Sequence, residues 1–138
     1  MDTDIFMSYR YPKALANYLM KDLKMSEALV LLEHPYLSPI LRKINIHTSI
    51  IYDAHNVEYL LKKQIATKLN KIWLNREYEI EKYACEISDA IFVTSNENKE
   101  AFIELYNISE DKLFVIPNGG KINSSLKVKI YKKFAKKF

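Results

Sequence analysis

The amino-acid sequence predicts an α/β fold, an open parallel Rossmann-like sheet with helices on both faces. Short apolar runs rich in β-branched and aromatic residues alternate along the chain with longer segments of helical period. Polar residues directly follow the first three of these runs. The chain has 138 residues, of which 49% are hydrophobic and 28% are charged. That length and composition suit one domain with a core of its own.

The central strand is predicted at residues 49–52, a run too short for a helix and of strand-like composition. Four polar residues follow it closely: Asp53, His55, Asn56 and Glu58. Such groups are not buried unpaired without a cost in free energy. Because ligands bind at the carboxyl ends of the strands in open α/β sheets, this edge is the candidate site.

The chain before this strand predicts a helix, a strand and a short helix or turn. Pro12 opens the first helix, whose apolar residues at helical spacing are Leu15, Tyr18, Leu19 and Leu23. Residues 28–32 form a continuous apolar run, which predicts a buried strand of the parallel type ending at Glu33 and His34. Pro35 keeps His34 out of helical dihedral angles, and residues 36–42 form the short helix or turn.

A single long helix is predicted after the central strand, capped by Asn56. Trp73 flanks its apolar stripe, which consists of Leu61, Ile65, Leu69, Ile72, Ile80, Tyr83 and Ile87. The helix ends at residues 88–89, and residues 90–93 predict a third strand.

A last helix and strand complete the predicted fold. Thr94 and Glu97 match a capping box at the start of a helix that residues 107–109 close. Its predicted inner face consists of Ala101, Phe102, Leu105 and Tyr106. Residues 113–116 predict a fourth strand, and residues 117–120 predict a turn that contains both glycines of the chain.

Composition excludes several classes of protein. Cys85 is the single cysteine, so an internal disulfide is excluded and a cysteine-based metal site is not expected. Inside a helical pattern this thiol predicts a small core residue. Asp2 and Asp4 stand where a signal peptide carries positive charge, and no apolar run is long enough to span a membrane. A cytoplasmic protein is the simplest interpretation.

Residues 121–138 contain seven lysines and no acid. The formal net charge of the chain is +4, so the residues before this segment carry 4 − 7 = −3. The basic character is confined to the tail, which argues against a nucleic-acid-binding fold with a basic face.

Three segments carry a resemblance to a known family. They are Tyr52-Asp53-Ala54-His55-Asn56-Val57-Glu58, Ser88 to Ser95, and Leu113 to Gly119, with a long glutamate-rich helix between the first two. In this order they resemble the second half of the N-terminal domain of family 4 glycosyltransferases, which are two-domain GT-B enzymes. The resemblance covers residues 29–119.

The resemblance implies transfer of a sugar, of the hexosyltransferase type, from a nucleotide-sugar donor to an acceptor, with retention of configuration and without a metal or other cofactor. The acceptor, a sugar or a lipid-linked molecule, binds the N-terminal domain in such enzymes. His55 falls where many members place a histidine facing the reacting sugar. The other residues expected at the cleft are Asp53 and Asn56, which would orient His55 or contact the acceptor, with Glu58, His34, Ser95 and Asn96. The hinge is expected at Pro117, Asn118 and Gly119.

The sequence also departs from the family pattern. No glycine precedes Gly119, so nothing supplies the glycine-rich loop that approaches the donor phosphates. We therefore expect residues 1–120 to be a partial N-terminal domain and residues 121–138 a basic tail or connector helix to an absent donor-binding domain. The chain is then a fragment that does not transfer sugar alone. The alternatives are a non-catalytic acceptor-binding or interaction subunit of a split glycosyltransferase, paired with a separate donor-binding chain, and an unrelated α/β interaction module.

Structural interpretations stand beside the functional ones. The alternative for His55 is a strand-end histidine satisfied by Asp53. Glu58 is equally explained as a first-turn acid favoured by the helix dipole. In residues 127–138, Tyr131, Phe134, Ala135 and Phe138 fall on one helical face and the lysines mostly off it. This pattern suits either a solvated connector helix or a basic amphipathic helix on an anionic membrane, which would place the protein peripherally at the inner membrane face.

Overall fold

The four strands form one parallel sheet in the order in which they occur along the chain. In the computed structural model, the described residues are 16–19, 21, 28–44, 48–65 and 71–119. The strands are β1 (Leu29–Leu32), β2 (Ser49–Ala54), β3 (Ala90–Val93) and β4 (Leu113–Val115), in the sheet order β1-β2-β3-β4. All three pairs of neighbours are parallel. The open parallel α/β architecture predicted from the sequence is confirmed.

Helices connect the strands in the predicted alternation. The turn Pro35–Leu37 and α1 (Ser38–Ile44) follow β1, α2 (Glu58–Ile65) and α3 (Lys71–Ile87) follow β2, α4 (Asn96–Tyr106) follows β3, and the turn Glu110–Lys112 precedes β4. Residues 16–19 and 21 are helical, which agrees with the helix predicted after Pro12. Leu15, Leu23 and the tail 121–138 lie outside the described residues.

The main core lies on one face of the sheet. Alternate strand residues share a face, and Leu32, Tyr52 and Ile91 meet there in register. Their exposed fractions are 2%, 1% and 0%. Phe102 and Tyr106 of α4 pack into the same core, as the predicted inner face of that helix requires. Cys85 is also buried in it, which confirms the prediction of a small core residue.

The prediction that β1 is a buried strand is wrong for half of its residues. Leu29 and Leu31 are 58% and 52% exposed, whereas Leu32 is buried. Among the described strands β1 pairs only with β2, so it lies at an edge of the sheet that these strands form. Because successive side chains alternate between the two faces, only Val30 and Leu32 reach the main core. An unbroken apolar run therefore does not distinguish an edge strand from a central one.

The prediction of one continuous helix after Asn56 is also wrong. The Glu81 carboxylate of α3 accepts hydrogen bonds from the backbone N–H groups of Glu58 at 2.8 Å and Tyr59 at 2.9 Å, at the start of α2. In a continuous helix Glu58 and Glu81 would be roughly 34 Å apart, because the helix rises about 1.5 Å per residue. α3 therefore runs back against α2, and the connecting residues 66–70 lie outside the described part of the chain.

Glu81 also takes the capping role that the sequence assigned to Asn56. Asn56 is exposed, and α2 begins at Glu58 after Val57, whose carbonyl accepts the first bond of the helix from the Leu61 N–H. The first N–H groups of a helix have no partner within it. A carboxylate from α3 satisfies two of them, where a negative charge is also favoured by the helix dipole.

The buried face of α3 differs from the predicted apolar stripe. Leu61 and Ile65, predicted members of that stripe, are 43% and 71% exposed on α2. On α3, Ile80 is buried as predicted, while Tyr83 and Ile87 are only half-buried. Among the α3 side chains that the structure describes, the buried ones are Glu77, Ile80, Glu81, Ala84 and Cys85. Leu69 and the side chain of Ile72, also predicted members of the stripe, lie outside the described part of the chain. Two glutamates therefore occupy core positions, which a search for apolar residues alone does not find.

Ser95 caps α4, where the sequence predicted Thr94. The Ser95 Oγ accepts a hydrogen bond from the Asn98 backbone N–H at 3.2 Å. The predicted capping box at Thr94 is therefore wrong by one position. The other end of α4 agrees with the prediction, because the helix ends at Tyr106 and Asn107 adopts the left-handed conformation with φ of 54°.

Replacing Glu81 with alanine is expected to lower the free energy of unfolding by about 3 kcal/mol or more, because buried donors are left without an acceptor. Urea denaturation followed by circular dichroism measures the change. Glu79→Ala is the matched control, since Glu79 is an exposed glutamate on the same helix. A loss no larger than that of the control would contradict the assigned role of Glu81.

Replacing Ser95 with alanine is expected to cost about 1 kcal/mol of stability, the usual effect of removing a helix cap. Ser109→Ala is the control, because Ser109 precedes the turn Glu110–Lys112 without making a side-chain capping bond. The same denaturation experiment measures both variants. Equal stabilities of the two would show that the Ser95 hydroxyl does not stabilise α4.

Candidate functional site

Two histidines from neighbouring strands meet at the carboxyl edge of the sheet. His34 follows β1 and His55 follows β2. Both side chains are exposed, and their ring centroids lie 6.5 Å apart. The parallel pairing of β1 with β2 ends both strands at the same edge, and this brings together residues that are far apart in the sequence. We call the surface formed by His34, His55 and Glu58 the histidine edge.

The loop that carries His55 is attached to the start of α4. The Thr94 hydroxyl donates a hydrogen bond to the His55 carbonyl oxygen at 3.1 Å. The Asn98 side-chain amide in turn donates to the Thr94 hydroxyl oxygen at 2.9 Å. These bonds hold the backbone at His55 and leave its imidazole exposed. The Ser95 hydroxyl already accepts a bond as the cap of α4, and Asn96 is exposed beside it.

Tyr36 links His34 to Glu58. The rings of His34 and Tyr36 are stacked with centroids 6.3 Å apart. The Tyr36 hydroxyl donates a hydrogen bond to the Glu58 Oε2 at 3.3 Å. Pro35, the first residue of the turn that contains Tyr36, fixes the backbone between the two rings. The first turn of α2 and the residues after β1 are therefore joined directly.

Asp53 is half-buried in β2, and no hydrogen bond joins it to His55 within the described residues. As a neighbour of Tyr52 and Ala54 in the strand, it lies on the opposite face from the main core. Asn56 is exposed at the edge. The structure thus brings His34, His55 and Glu58 together and leaves Asp53 on the other face of the sheet.

Two buried glutamates lie behind the histidine edge. Glu81 accepts four hydrogen bonds, from the N–H groups of Glu58 and Tyr59 and from the hydroxyls of Tyr52 and Tyr106. Burial still raises the pKa of Glu81, although the Tyr106 hydroxyl and the two N–H donors act in the opposite direction.

Glu77 lies one helical turn earlier and is completely buried. Burial raises its pKa from 4.5 to about 7, opposed by the Tyr36 hydroxyl and reinforced by the charge of Glu81. Within the described residues, neither carboxylate oxygen has a partner in good hydrogen-bonding geometry.

Both buried tyrosines that bond Glu81 stay protonated. Burial and the charge of Glu81 raise the pKa of Tyr52 well above its ordinary value, and they raise the pKa of Tyr106 in the same way. These hydroxyls therefore act as hydrogen-bond donors to the carboxylate.

Pro117, Asn118 and Gly119 are exposed after β4. Gly119 has φ of 65°, a left-handed conformation that favours glycine and agrees with the predicted turn. Their role as a hinge stays a prediction.

The described residues include no cluster of three or more histidine, cysteine, aspartate or glutamate side chains placed to hold a metal ion. Within those same ranges, no helix has the length and apolar character needed to cross a membrane.

The sequence interpretation missed three residues that shape the edge: Tyr36, Glu77 and Glu81. The two glutamates had a signal, because they lie four residues apart and precede Ala84, Cys85 and Ser88 at helical spacing. A polar residue at a core position of a helix indicates a buried hydrogen-bonding group. Tyr36 had no comparable signal, since its partner is distant in the sequence.

The chain was compared with known protein families, curated proteins and solved structures. The family model of Glycosyltransferase Family 4 matches residues 9–121 of the 138. No curated protein and no solved structure matches the chain. The family match spans every described strand and the whole histidine edge. The chain therefore belongs to glycosyltransferase family 4.

Proposed function

We propose that this chain provides the acceptor-binding side of a glycosyltransferase that uses a nucleotide-sugar donor, with His55 facing the reacting sugar. The observation that carries the proposal is the pair of exposed imidazoles, His34 and His55, at the carboxyl ends of two adjacent strands. Family membership supplies the class of reaction.

The histidine edge has the chemistry that a sugar requires. Each imidazole is able to donate or accept a hydrogen bond, and the Glu58 carboxylate accepts. A hydroxyl that bonds both rings needs nitrogen atoms at most about 5.6 Å apart, because each bond spans about 2.8 Å. The centroid separation of 6.5 Å is compatible with this arrangement. The support for a sugar ligand is therefore a spacing of polar groups that suits hydroxyls.

Donor binding is assigned to a separate domain or chain. Nucleotide phosphates are commonly held by glycine-rich loops at helix N-termini, and no glycine occurs before Gly119. Two helices begin near the edge. At α2 the first two N–H groups bond the Glu81 carboxylate, and at α4 the Asn98 N–H bonds the Ser95 hydroxyl. We propose further that the acceptor is a sugar or a lipid-linked molecule and that residues 127–138 contact an anionic membrane surface.

Saccharide binding tests the proposal. Glucose, mannose, N-acetylglucosamine and their disaccharides would be titrated into the ¹⁵N-labelled chain and followed by amide and imidazole chemical shifts. We expect the shifts to cluster at His34, His55 and Ser95. His55→Ala is expected to weaken binding about tenfold, the equivalent of one hydrogen bond of roughly 1.4 kcal/mol.

Glu104→Ala is the control, since Glu104 is an exposed residue in the last turns of α4, away from the end that adjoins the edge. Shifts at the histidine edge caused by a nucleotide sugar but by no saccharide would contradict the acceptor assignment. Sugar transfer or nucleotide-sugar hydrolysis by the purified chain, abolished in His55→Ala, would overturn the assignment of donor binding to a separate domain.

A further inference from the structure

The face of the sheet opposite to the main core also carries apolar side chains. They are Leu29 and Leu31 of β1, Ile51 of β2, Phe92 of β3 and Phe114 of β4, which alternate along the strands with residues of the main core. We call these five side chains the second face. Ile51 is buried, and Phe92 and Phe114 are half-buried with ring centroids 6.4 Å apart. Leu29 and Leu31 are 58% and 52% exposed, so the second face is most accessible at β1.

The order of the strands explains why the described helices pack on the other side. Each strand is added on the same side of the strand before it, and right-handed crossovers in that arrangement all lie on one face. Helix residues that pack into the main core include Ala16 and Leu19 before β1, Leu41 of α1, Leu60 of α2, Cys85 of α3 and Phe102 of α4. A segment that leaves β4 and returns toward β1 with the same handedness lies on the second face. The topology therefore favours the chain after β4 as the cover of this face.

The segment 127–138 has the pattern of a helix with one apolar side. Its apolar residues recur at helical spacing, and pairs of lysines alternate with them on the other side: Ile130, Tyr131, Phe134, Ala135 and Phe138 against Lys132, Lys133, Lys136 and Lys137. As a helix this segment would be about 18 Å long, and the outer strands of a four-stranded sheet lie about 14 Å apart. Residues 120–126 would span roughly 23 Å when extended. The segment is therefore long enough to reach and cross the second face.

Charge favours the same contact. Asp53 is half-buried on this side of the sheet, and the exposed Glu33 directly follows β1. The segment 127–138 contains six lysines and no acid. Lysines that border an apolar stripe are able to reach such carboxylates while their ammonium groups stay in water. Because exposed ion pairs stabilise only weakly, the apolar contacts supply the affinity and the charges set the direction of the helix.

We propose that residues 127–138 dock as an amphipathic helix on the second face of the same chain, with Phe134 and Phe138 against Leu29 and Leu31. Docking removes the two exposed leucines of β1 from water. The lysines then point outward and form a basic surface, through which this segment would meet anionic lipid without inserting its aromatic rings. The inference concerns how the chain packs and is independent of its role in sugar transfer.

Methyl NMR of the full 138-residue chain tests the proposal directly. Leucine methyl groups labelled with ¹³C would be assigned together with the phenylalanine rings, and NOEs between them measured without lipid. We expect NOEs from the methyl groups of Leu29 and Leu31 to the rings of Phe134 and Phe138. Absence of these NOEs would overturn the proposal.

A replacement in the tail tests one side of the contact. Phe134→Ser is expected to lower the docked population at least about tenfold, because the loss of one buried aromatic side chain changes an equilibrium by about this factor or more. The NOEs between Phe138 and Leu31 measure that population. Lys133→Ser is the control, since it makes the same replacement at the neighbouring position on the lysine side. Equal effects of the two replacements would contradict docking through the apolar side.

A replacement in the sheet tests the other side. Leu31→Ser should release the tail and shorten the rotational correlation time of the Phe134 and Phe138 rings. Leu61→Ser is the control, because Leu61 is an exposed leucine of α2 that does not belong to the second face. Release of the tail by both replacements, or by neither, would show that β1 does not hold the segment.

Two further measurements separate this occupant from the others. In a mixture of ¹³C-labelled and unlabelled chains, NOEs confined to single chains support the proposal, whereas NOEs between chains would show that a second copy covers the face. In bicelles that contain phosphatidylserine, we expect the NOEs between Leu31 and Phe134 to persist. Their replacement by NOEs from Phe134 to lipid acyl chains would overturn the proposal in favour of membrane insertion.

Discussion

The Glu81 carboxylate is the interaction on which most of the described structure depends. It accepts hydrogen bonds from Tyr52 of β2, from Tyr106 of α4 and from two backbone N–H groups at the start of α2, while it belongs to α3. One side chain therefore joins a central strand to three helices. Two donors reach each oxygen, so the buried charge is fully hydrogen-bonded. Because α2 starts shortly after His55, this carboxylate also positions the histidine edge.

Glu77 and Glu81 show how one helix face supports two different kinds of buried carboxyl. They lie four residues apart, and burial raises the pKa of both. Glu81 meets donors from three other elements, whereas neither Glu77 oxygen has a hydrogen-bond partner within the described residues. The difference arises from the partners that the fold supplies, since both residues have the same chemistry. A polar core of this kind stabilises the structure only when the surrounding elements are correctly aligned.

The histidine edge illustrates why parallel sheets place ligand sites at one end. The residues that follow β1, β2 and β3 meet there because all of these strands run in the same direction. The His34 ring stacks on Tyr36, whose hydroxyl donates a hydrogen bond to Glu58. The Thr94 hydroxyl donates a hydrogen bond to the backbone carbonyl of His55. Core contacts and edge contacts are thus made by adjacent residues. The exposed imidazoles of this edge are therefore carried on backbone and neighbouring residues that hydrogen bonds hold in place.

The sequence by itself determined the four strands, the C-terminal ends of α3 and α4, the inner face of α4 and the place of His34 and His55 at strand ends. These features depend on local periodicity, turn residues and the direction of parallel strands, all of which are readable along the chain. Only the tertiary structure decided that β1 lies at the edge of the sheet formed by the described strands, that α3 folds back on α2, and that Glu77 and Glu81 are buried. The physical reason is that these features depend on partners more than twenty residues away, which no local pattern specifies.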